Sequence, residues 1–456
     1  MTNHVIIGNG VAGIKAAETI RRNDSNCKIT VIGDETYPFY YRPQLPKLVS
    51  GKIDEEKLWG KKSEFYEKNN IILQLGKKVT GIIPDKNEIV LTDGVVRYSS
   101  LLIATGGSIK SRKYPGSELN GEVVALKTID DAKNIKEKVK HAKRAVVIGE
   151  DFLTLALIEA LQNSGIEVIY LLPGDCLWPE ILDKDASYIL ELKLKQKGIK
   201  ILHNTDIKEI VIKNRTVHGV ISTGETFIEC QILGVVDKLQ PNIDFLSESG
   251  IKTDTGILVN NKMLTNIDNI YAAGDVTQLL TDPSEESPKI NVRWLKAWRQ
   301  GQIAGANMTG KQTEYDDIAC ISSTQICGID LISIGTSNPL NNGYKIIRGD
   351  YPHPEIDVYK KLVLKNDKVV GALLVGNVLE AGEITKVIKN RTNYSEIDET
   401  LLKQMFDLNS RISPFHGFLC PVCKLSLPIS QDTKVGDKIT CPACGIELTV
   451  TERMLR

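Results

Sequence analysis

A net charge is missing from this chain, because 57 basic residues are balanced by 57 acidic ones. Without a net field, the protein is not drawn to nucleic acid or anionic lipid irrespective of sequence. A long apolar run is missing too. No segment approaches the roughly 20 residues that span a bilayer. The first apolar stretch, residues 5–7, stands directly before a glycine loop and leaves no room for a signal or transit peptide. A disulfide framework is also absent: of nine cysteines, five are scattered singly and four lie in the last 37 residues. The expectation is a soluble protein of the reducing cytoplasm. Apolar residues at 42% and charged residues at 25% match ordinary globular chains, which argues against disorder. No low-complexity segment or regular short repeat is visible. At 456 residues the chain should form two to four domains of roughly 100 to 200 residues.

What is present begins with a strand, a glycine turn, a long helix and a second strand over residues 4–33. In Gly8-Asn9-Gly10-Val11-Ala12-Gly13, Gly8 permits a tight turn and Gly10 clears space for a phosphate. Gly13 lets helix and strand approach, and the helix N-terminus supplies N–H donors. Asp34, about twenty residues on, is placed to accept from an adenosine ribose, with Glu35 as the second candidate. The same strand-turn-helix-strand pattern recurs at 144–172, with the helix ending at Ser164-Gly165. Residues 130–143 read as a charged, solvated helix with an acidic start and a basic end. Residues 281–289 (TDPSEESPK) read as a loop, followed by a helix from about 294 to 308 and an antiparallel sheet with helices from about 316 to 378. Cys27, Cys176 and Cys230 stand alone; Cys320 and Cys327 fall in a strand-like stretch at an odd offset that would put them on opposite faces. Buried structural thiols are expected.

Two further strand-to-glycine segments, LLIATGG (101–107) and NIYAAGDV (269–276), join YYRPQLPK (40–47) and WLKAWRQGQIAGANM (294–308). Together these resemble the FAD-dependent pyridine nucleotide-disulfide oxidoreductase superfamily over roughly residues 4–380. The nearest branch by motif is that of the ferredoxin, rubredoxin and nitrite reductase flavoproteins, matched here by Tyr40, Arg42, Pro43, Leu45 and Lys47. The resemblance implies that Asp275 holds the ribitol chain, that Thr105 and Gly106 line the return into the first domain, and that Trp294 and Ala297 flank the flavin. Ala12 and Val79 enter the cofactor-binding set on the same ground, and Lys47 and Arg42 are the candidate catalytic residues. A Lys47 cation near the N1 to N5 edge would stabilise reduced flavin. For Asp275 a helix N-cap is an alternative role. No cysteine pair follows the first glycine loop, so disulfide reduction is not expected.

The implied fold class is α/β, with two Rossmann-like nucleotide-binding domains, an α+β interface domain and a small C-terminal β metal ribbon. The FAD-binding domain would cover 1–112 and 241–312, an NAD(P)H-binding-like domain 113–240, the interface domain 313–400 and the ribbon 412–456. In the ribbon, Cys420-x-x-Cys423 and Cys441-x-x-Cys444 are separated by seventeen residues, a spacing that sets four thiolates around one ion. A module this short needs the metal to fold. Zinc is expected, because Lys424 stands where rubredoxin-like knuckles carry glycine; iron is the alternative.

The function these readings imply is an FAD-dependent oxidoreductase passing electrons between a two-electron donor and a one-electron carrier such as a ferredoxin or rubredoxin-like protein. The alternative is a flavin-containing electron-transfer or docking subunit of a larger redox enzyme. No nucleic-acid or membrane partner is expected, and a homo-oligomer is possible through the interface domain. Whether NAD(P)H is the donor depends on Gly149-Glu150-Asp151-Phe152-Leu153-Thr154, which keeps one glycine of three. A carboxylate ~5 Å from a phosphate charge costs about 3 kcal/mol at an effective dielectric of ~20. The following strand ends Leu171-Leu172-Pro173, with no acid before Asp175. Weak or absent NAD(P)H binding is therefore expected; in the alternative, Glu150 and Asp151 only cap the helix and the nucleotide binds by other contacts.

Overall fold

The computed structural model describes residues 2–116, 123–280, 294–316, 320–339, 342–349, 358–406, 417–420, 426–428, 433–441 and 447–452. The chain divides into two compact units. The first holds Met1–Leu48, Lys52–Lys110 and Lys238–Asp316; the second holds Val49–Gly51, Ser111–Asp237 and Asp317–Arg456.

In the first unit, β1 (Asn3–Ile7) leads through the glycine turn into α1 (Val11–Asn23) and back to β2 (Lys28–Ile32). β1 and β2 lie inside a five-stranded parallel sheet in the order Ile270–Ala272, Ser100–Ile103, β1, β2, Ile71–Gln74. Both faces of this sheet are covered, so its strands are near-continuous runs of branched apolar residues such as VII and ITVI. The helix Trp294–Met308 crosses α1 at backbone contact. A Cβ on Gly301 would stand 2.2 Å from the Ala12 carbonyl oxygen, and one on Gly305 2.6 Å from that of Ala16. Glycines four apart on one helix thus face alanines four apart on the other. A three-stranded antiparallel sheet, Val79–Ile83, Glu88–Leu91 and Gly94–Arg97, completes this part.

The second unit repeats the plan. β3 (Arg144–Gly149), α2 (Phe152–Asn163) and β4 (Glu167–Leu172) build a parallel sheet in the order Lys200–His203, β4, β3, Ile232–Val236, Val123–Val124. α2 ends at Ser164 and Gly165, the latter with φ +82°. The charged segment forms the helix Ile129–Val139, started by a reciprocal Thr128–Asp131 capping box. It is not solvated all round, because Ile129, Ala132 and Ile135 form a buried stripe.

Residues 321–375 make an antiparallel sheet in the order Ile321–Ile326, Ile329–Gly335, Lys368–Val375, Tyr359–Lys365, Lys345–Arg348, followed by the helix Ala381–Lys389. Cys320 and Cys327 do not share a strand: one precedes Ile321–Ile326, and the other sits in the turn after it with φ +51°. The loop at 281–289 lies outside the described residues.

Two short hairpins close the chain, pairing Gly417–Leu419 with Ser426–Pro428 and Lys438–Thr440 with Glu447–Thr449. They have the same register and the same spacing, so the tail is a repeat with an offset of 21 residues (438 − 417). That repeat was hidden in the sequence, because only the cysteines, Pro421 with Pro442, and Leu427 with Leu448 recur as identities. No described helix is long and apolar enough to cross a membrane.

Candidate flavin site

The chain leaves β1 at Gly8 with φ +112°, its N–H donating to the Ile32 carbonyl at 2.7 Å. A Cβ here would lie 2.1 Å from the Ala104 oxygen, and one at Gly13 would lie 2.0 Å from the Gly8 oxygen. Gly10 differs. It has an ordinary φ of −83°, and a Cβ there would meet nothing within 4 Å. Gly10 is the N-cap of the thirteen-residue α1, which has no side-chain cap and no acid in its first turn. The helix therefore presents its first-turn N–H groups and its positive pole to open space, which is the requirement for holding an anion. Asn9 is tied down beside it, donating to the Tyr37 carbonyl and accepting from the Tyr66 hydroxyl.

After β2 the two candidate acids diverge. Asp34 is exposed and accepts the Glu35 N–H at 3.0 Å. Glu35 turns to Tyr40, whose hydroxyl donates to it at 2.7 Å, and pairs with Arg42. The Arg42 guanidinium lies 4.7 Å from the centre of the Tyr40 ring. Burial opposes its charge, but Tyr40, Glu35 and Asp275 outweigh that and raise its pKa. The structure thus brings Arg42 into a carboxylate cluster. Lys47 is exposed on the short helix Leu45–Val49. Val79 is buried at the head of its strand, paired with Leu91.

Thr105 and Gly106 lie where the chain leaves the strand Ser100–Ile103. Asn242, which sequence reasoning passed over, fixes them. Its amide donates to the Thr105 carbonyl at 2.9 Å, its N–H donates to the Gly106 carbonyl, and its own carbonyl accepts from the Thr105 hydroxyl. Asp275 does not cap a helix: a turn comes next and leads into the strand Thr277–Leu279. The turn is held by Gln300, a second unforeseen residue. Its Oε1 accepts from the Gly274 N–H at 2.8 Å and from the Thr277 hydroxyl at 3.1 Å. Gln300 is fully buried, yet its Nε2 has no partner among the described residues. Ala297 is buried one turn before it; the Trp294 ring is centred 6.4 Å from that of Tyr41.

Residues 2–301 match the family model described as pyridine nucleotide-disulphide oxidoreductase. The chain belongs to this family. Residues 323–392 match the rubredoxin NAD+ reductase C-terminal domain. An NADH-rubredoxin oxidoreductase of Clostridium acetobutylicum is 30% identical over 404 residues, 88% of this chain and 98% of that protein. The crystal structure of NADH:rubredoxin oxidoreductase from the same organism superposes with a TM-score of 0.72 at 28% identity, over 88% of this chain and 99% of that one. A putidaredoxin reductase–putidaredoxin complex shares the fold, with a TM-score of 0.80 at 24% identity over 89% of this chain and 98% of that one. The protein is accordingly a flavin-dependent oxidoreductase. FAD suits the residues present: an uncapped helix start, open space at Gly10 and an orphaned buried donor on Gln300.

Of the five scattered cysteines four are buried as expected, but Cys320 is only half-buried, since it lies just before its strand. Cys27, Cys176 and Cys230 are buried, and burial raises each thiol, that of Cys230 to about 12. His4, Asp24 and Cys27 cluster closely, but the Arg21 guanidinium donates to the Cys27 sulfur and puts a cation where a metal would go. Both matched family ranges end before the ribbon. There, Cys420 follows the strand Gly417–Leu419 and Cys441 follows Lys438–Thr440, both fully buried at equivalent points of the two hairpins. Cys423 and Cys444 lie outside the described residues.

Proposed function

We propose that this oxidoreductase moves electrons between a two-electron donor and a small one-electron protein of the rubredoxin or ferredoxin kind. The observation that carries this reading is the glycine-built cradle at Gly8, Gly10 and Gly13, with no thiol pair beside it. When bound, FAD would supply the exchange between two-electron and one-electron chemistry. The chain's own residues would hold and tune it. Gly10 and the start of α1 take the pyrophosphate and Asp34 the adenosine ribose, with Ala12 and Val79 also in the cofactor-binding set. Thr105 and Gly106, fixed by Asn242, line the crossing, and Asp275, set by Gln300, holds the ribitol. Lys47 places positive charge toward the ring, Arg42, paired with Glu35, is the second candidate catalytic residue, and Trp294 and Ala297 flank the ring. Residues 113–240, 313–400 and 412–456 are assigned as a nucleotide-type domain, an interface domain and a metal ribbon. In the ribbon Cys420, Cys423, Cys441 and Cys444 hold zinc, or iron in the alternative. The docking-subunit reading is weaker, because the Clostridium acetobutylicum relative is named as a reductase in its own right.

The test uses the flavin-loaded chain, photoreduced without oxygen and mixed with oxidised rubredoxin or a [2Fe–2S] ferredoxin. Reduction of a carrier with return of oxidised flavin absorbance is expected. A flavin that stays reduced with both carriers refutes the reading.

A further inference from the structure

We infer that the second Rossmann turn is closed against dinucleotides by the chain's own residues, with Asp151 standing where a pyrophosphate would bind, so that NAD(P)H is not received there. This rests on the reading above only in using the flavin as reporter.

The geometry comes from one local segment. β3 ends at Gly149 with φ +149°, where a Cβ would collide with the Thr154 hydroxyl at 2.3 Å and the Val236 carbonyl at 2.4 Å. The turn itself is therefore kept, and the Tyr170 hydroxyl donates to the Gly149 carbonyl at 2.8 Å. Beyond Gly149 the chain departs from a phosphate site. At α1 the N-cap is a bare glycine facing open space; at α2 it is Asp151, whose carboxylate accepts from the Thr154 N–H at 3.0 Å and the Thr154 hydroxyl at 3.1 Å. One of the first-turn donors that an incoming phosphate would use is already taken, and the carboxylate stands at the helix start itself. Thr154, fully buried, occupies the position of the third glycine.

A second closure comes from the loop after β4. Trp178, with φ +44°, donates its N–H to the Glu150 carbonyl at 2.7 Å, and its ring lies 5.7 Å from that of Phe152, the first residue of α2. The loop thus folds back onto the turn that a dinucleotide would have to reach. Glu150 reaches toward the same loop: a Cβ on Gly174 would stand 3.1 Å from its Oε1. Asp175, the one acid beyond the strand, is paired with Lys184 at 2.6 Å. Coulomb repulsion is the lesser part of the barrier, since the Asp151 carboxylate is already engaged by the Thr154 N–H and hydroxyl; burial raises its pKa. The occupied donor and the covered turn form the larger part.

The experiment is an anaerobic titration of the flavin-loaded protein with NADH and with NADPH, monitored by flavin bleaching. Wild type should stay oxidised at micromolar nucleotide. Asp151→Gly, and Asp151→Gly with Thr154→Gly, should respond at concentrations lower by on the order of tenfold, the size of one released helix cap. Asp151→Asn keeps the cap without the charge and should remain inert. Rapid bleaching of wild type at micromolar nucleotide overturns the inference, and that arm holds even where the glycine variants fail to fold. Folded glycine variants no better than wild type, or an Asp151→Asn gain equal to that of Asp151→Gly, overturn the role given to the cap. Electron delivery from photoreduced flavin involves no nucleotide, so failure of the functional reading registers separately.

Discussion

Gly8 and Gly13 are glycines because backbone stands where their side chains would be, whereas Gly10 is free on every side within 4 Å. The two situations should fail differently on substitution. Gly10→Val should fold normally but lose bound FAD, read as a full far-ultraviolet spectrum without flavin absorbance. Retained flavin in that variant would rule out Gly10 as part of the cradle. Gly13→Ala should instead lose the folded state, because its Cβ would overlap the Gly8 carbonyl. The spacing of these glycines and the acid at Asp34 were legible in the sequence, since few turns other than a phosphate cradle combine them after a strand. Gln300 was not legible. A glutamine inside a helix resembles any solvated polar residue until the fold buries it against Gly274 and Thr277. Gln300→Leu strands the Gly274 N–H, at about 1–3 kcal/mol, while the Thr277 hydroxyl keeps the Gly274 carbonyl as acceptor. A lowered melting temperature together with weaker FAD retention is expected. Unchanged flavin affinity would show that Gln300 does not position Asp275.

Among the elements, the helix Lys184–Gln196 and the strand Tyr359–Lys365 meet at Asp183. This residue caps the helix through the Ala186 N–H at 3.0 Å. It also accepts from the Lys361 ammonium and the Tyr359 hydroxyl, both at 2.6 Å. Lys361 is 1% exposed, so the strand segment YKKLVLK places a charge in the interior that a reading of the sequence assigns to the surface. The partner lies 178 residues away, and no local pattern joins them. Helices and strands declare themselves through short-range periodicity; such clamps do not. Burial opposes the Asp183 charge, but Lys361 and Tyr359 prevail and hold its pKa below the ordinary carboxylate value. An acid with a depressed folded pKa stabilises above its unfolded pKa, about 3.9, and loses that contribution as pH falls through the folded value. Asp183→Asn should therefore destabilise by about 3 kcal/mol at neutral pH, leaving Lys361 buried without a counter-charge. The deficit should shrink below about pH 4. Denaturant unfolding at both pH values checks it, and a deficit independent of pH would mean that only the helix cap was lost. Asp183→Asn combined with Lys361→Met should recover part of the loss.

At the scale of the whole chain, every proposed flavin-holding residue belongs to the first unit, and the cysteine ribbon belongs to the second. The family was legible, because it depends on residue types at fixed spacing. The doubling of the ribbon's hairpins emerged only from strand register. Each hairpin supplies three residues per strand and a buried cysteine at its turn, and the buried apolar residues described there are few: Leu427, Leu448 and Val450. The apolar area of these three described residues does not offset the ordering of the described hairpins, at roughly 1–2 kcal/mol per residue for the backbone alone. A bound metal can, since structural zinc contributes about 10–16 kcal/mol in small peptides. The strand Ser426–Pro428 also leans on the helix Ala381–Lys389, a contact inside the second unit. Cys441→Ser should therefore release the metal and expose the tail to protease beyond residue 411, while flavin absorbance and carrier reduction stay at wild-type levels. Metal analysis, limited proteolysis and the visible spectrum read the three effects separately. If flavin is lost with the metal, the ribbon is coupled to the flavin unit. If the metal-free tail resists cleavage, its hairpins are held by packing on Ala381–Lys389, and the ion is not what folds them.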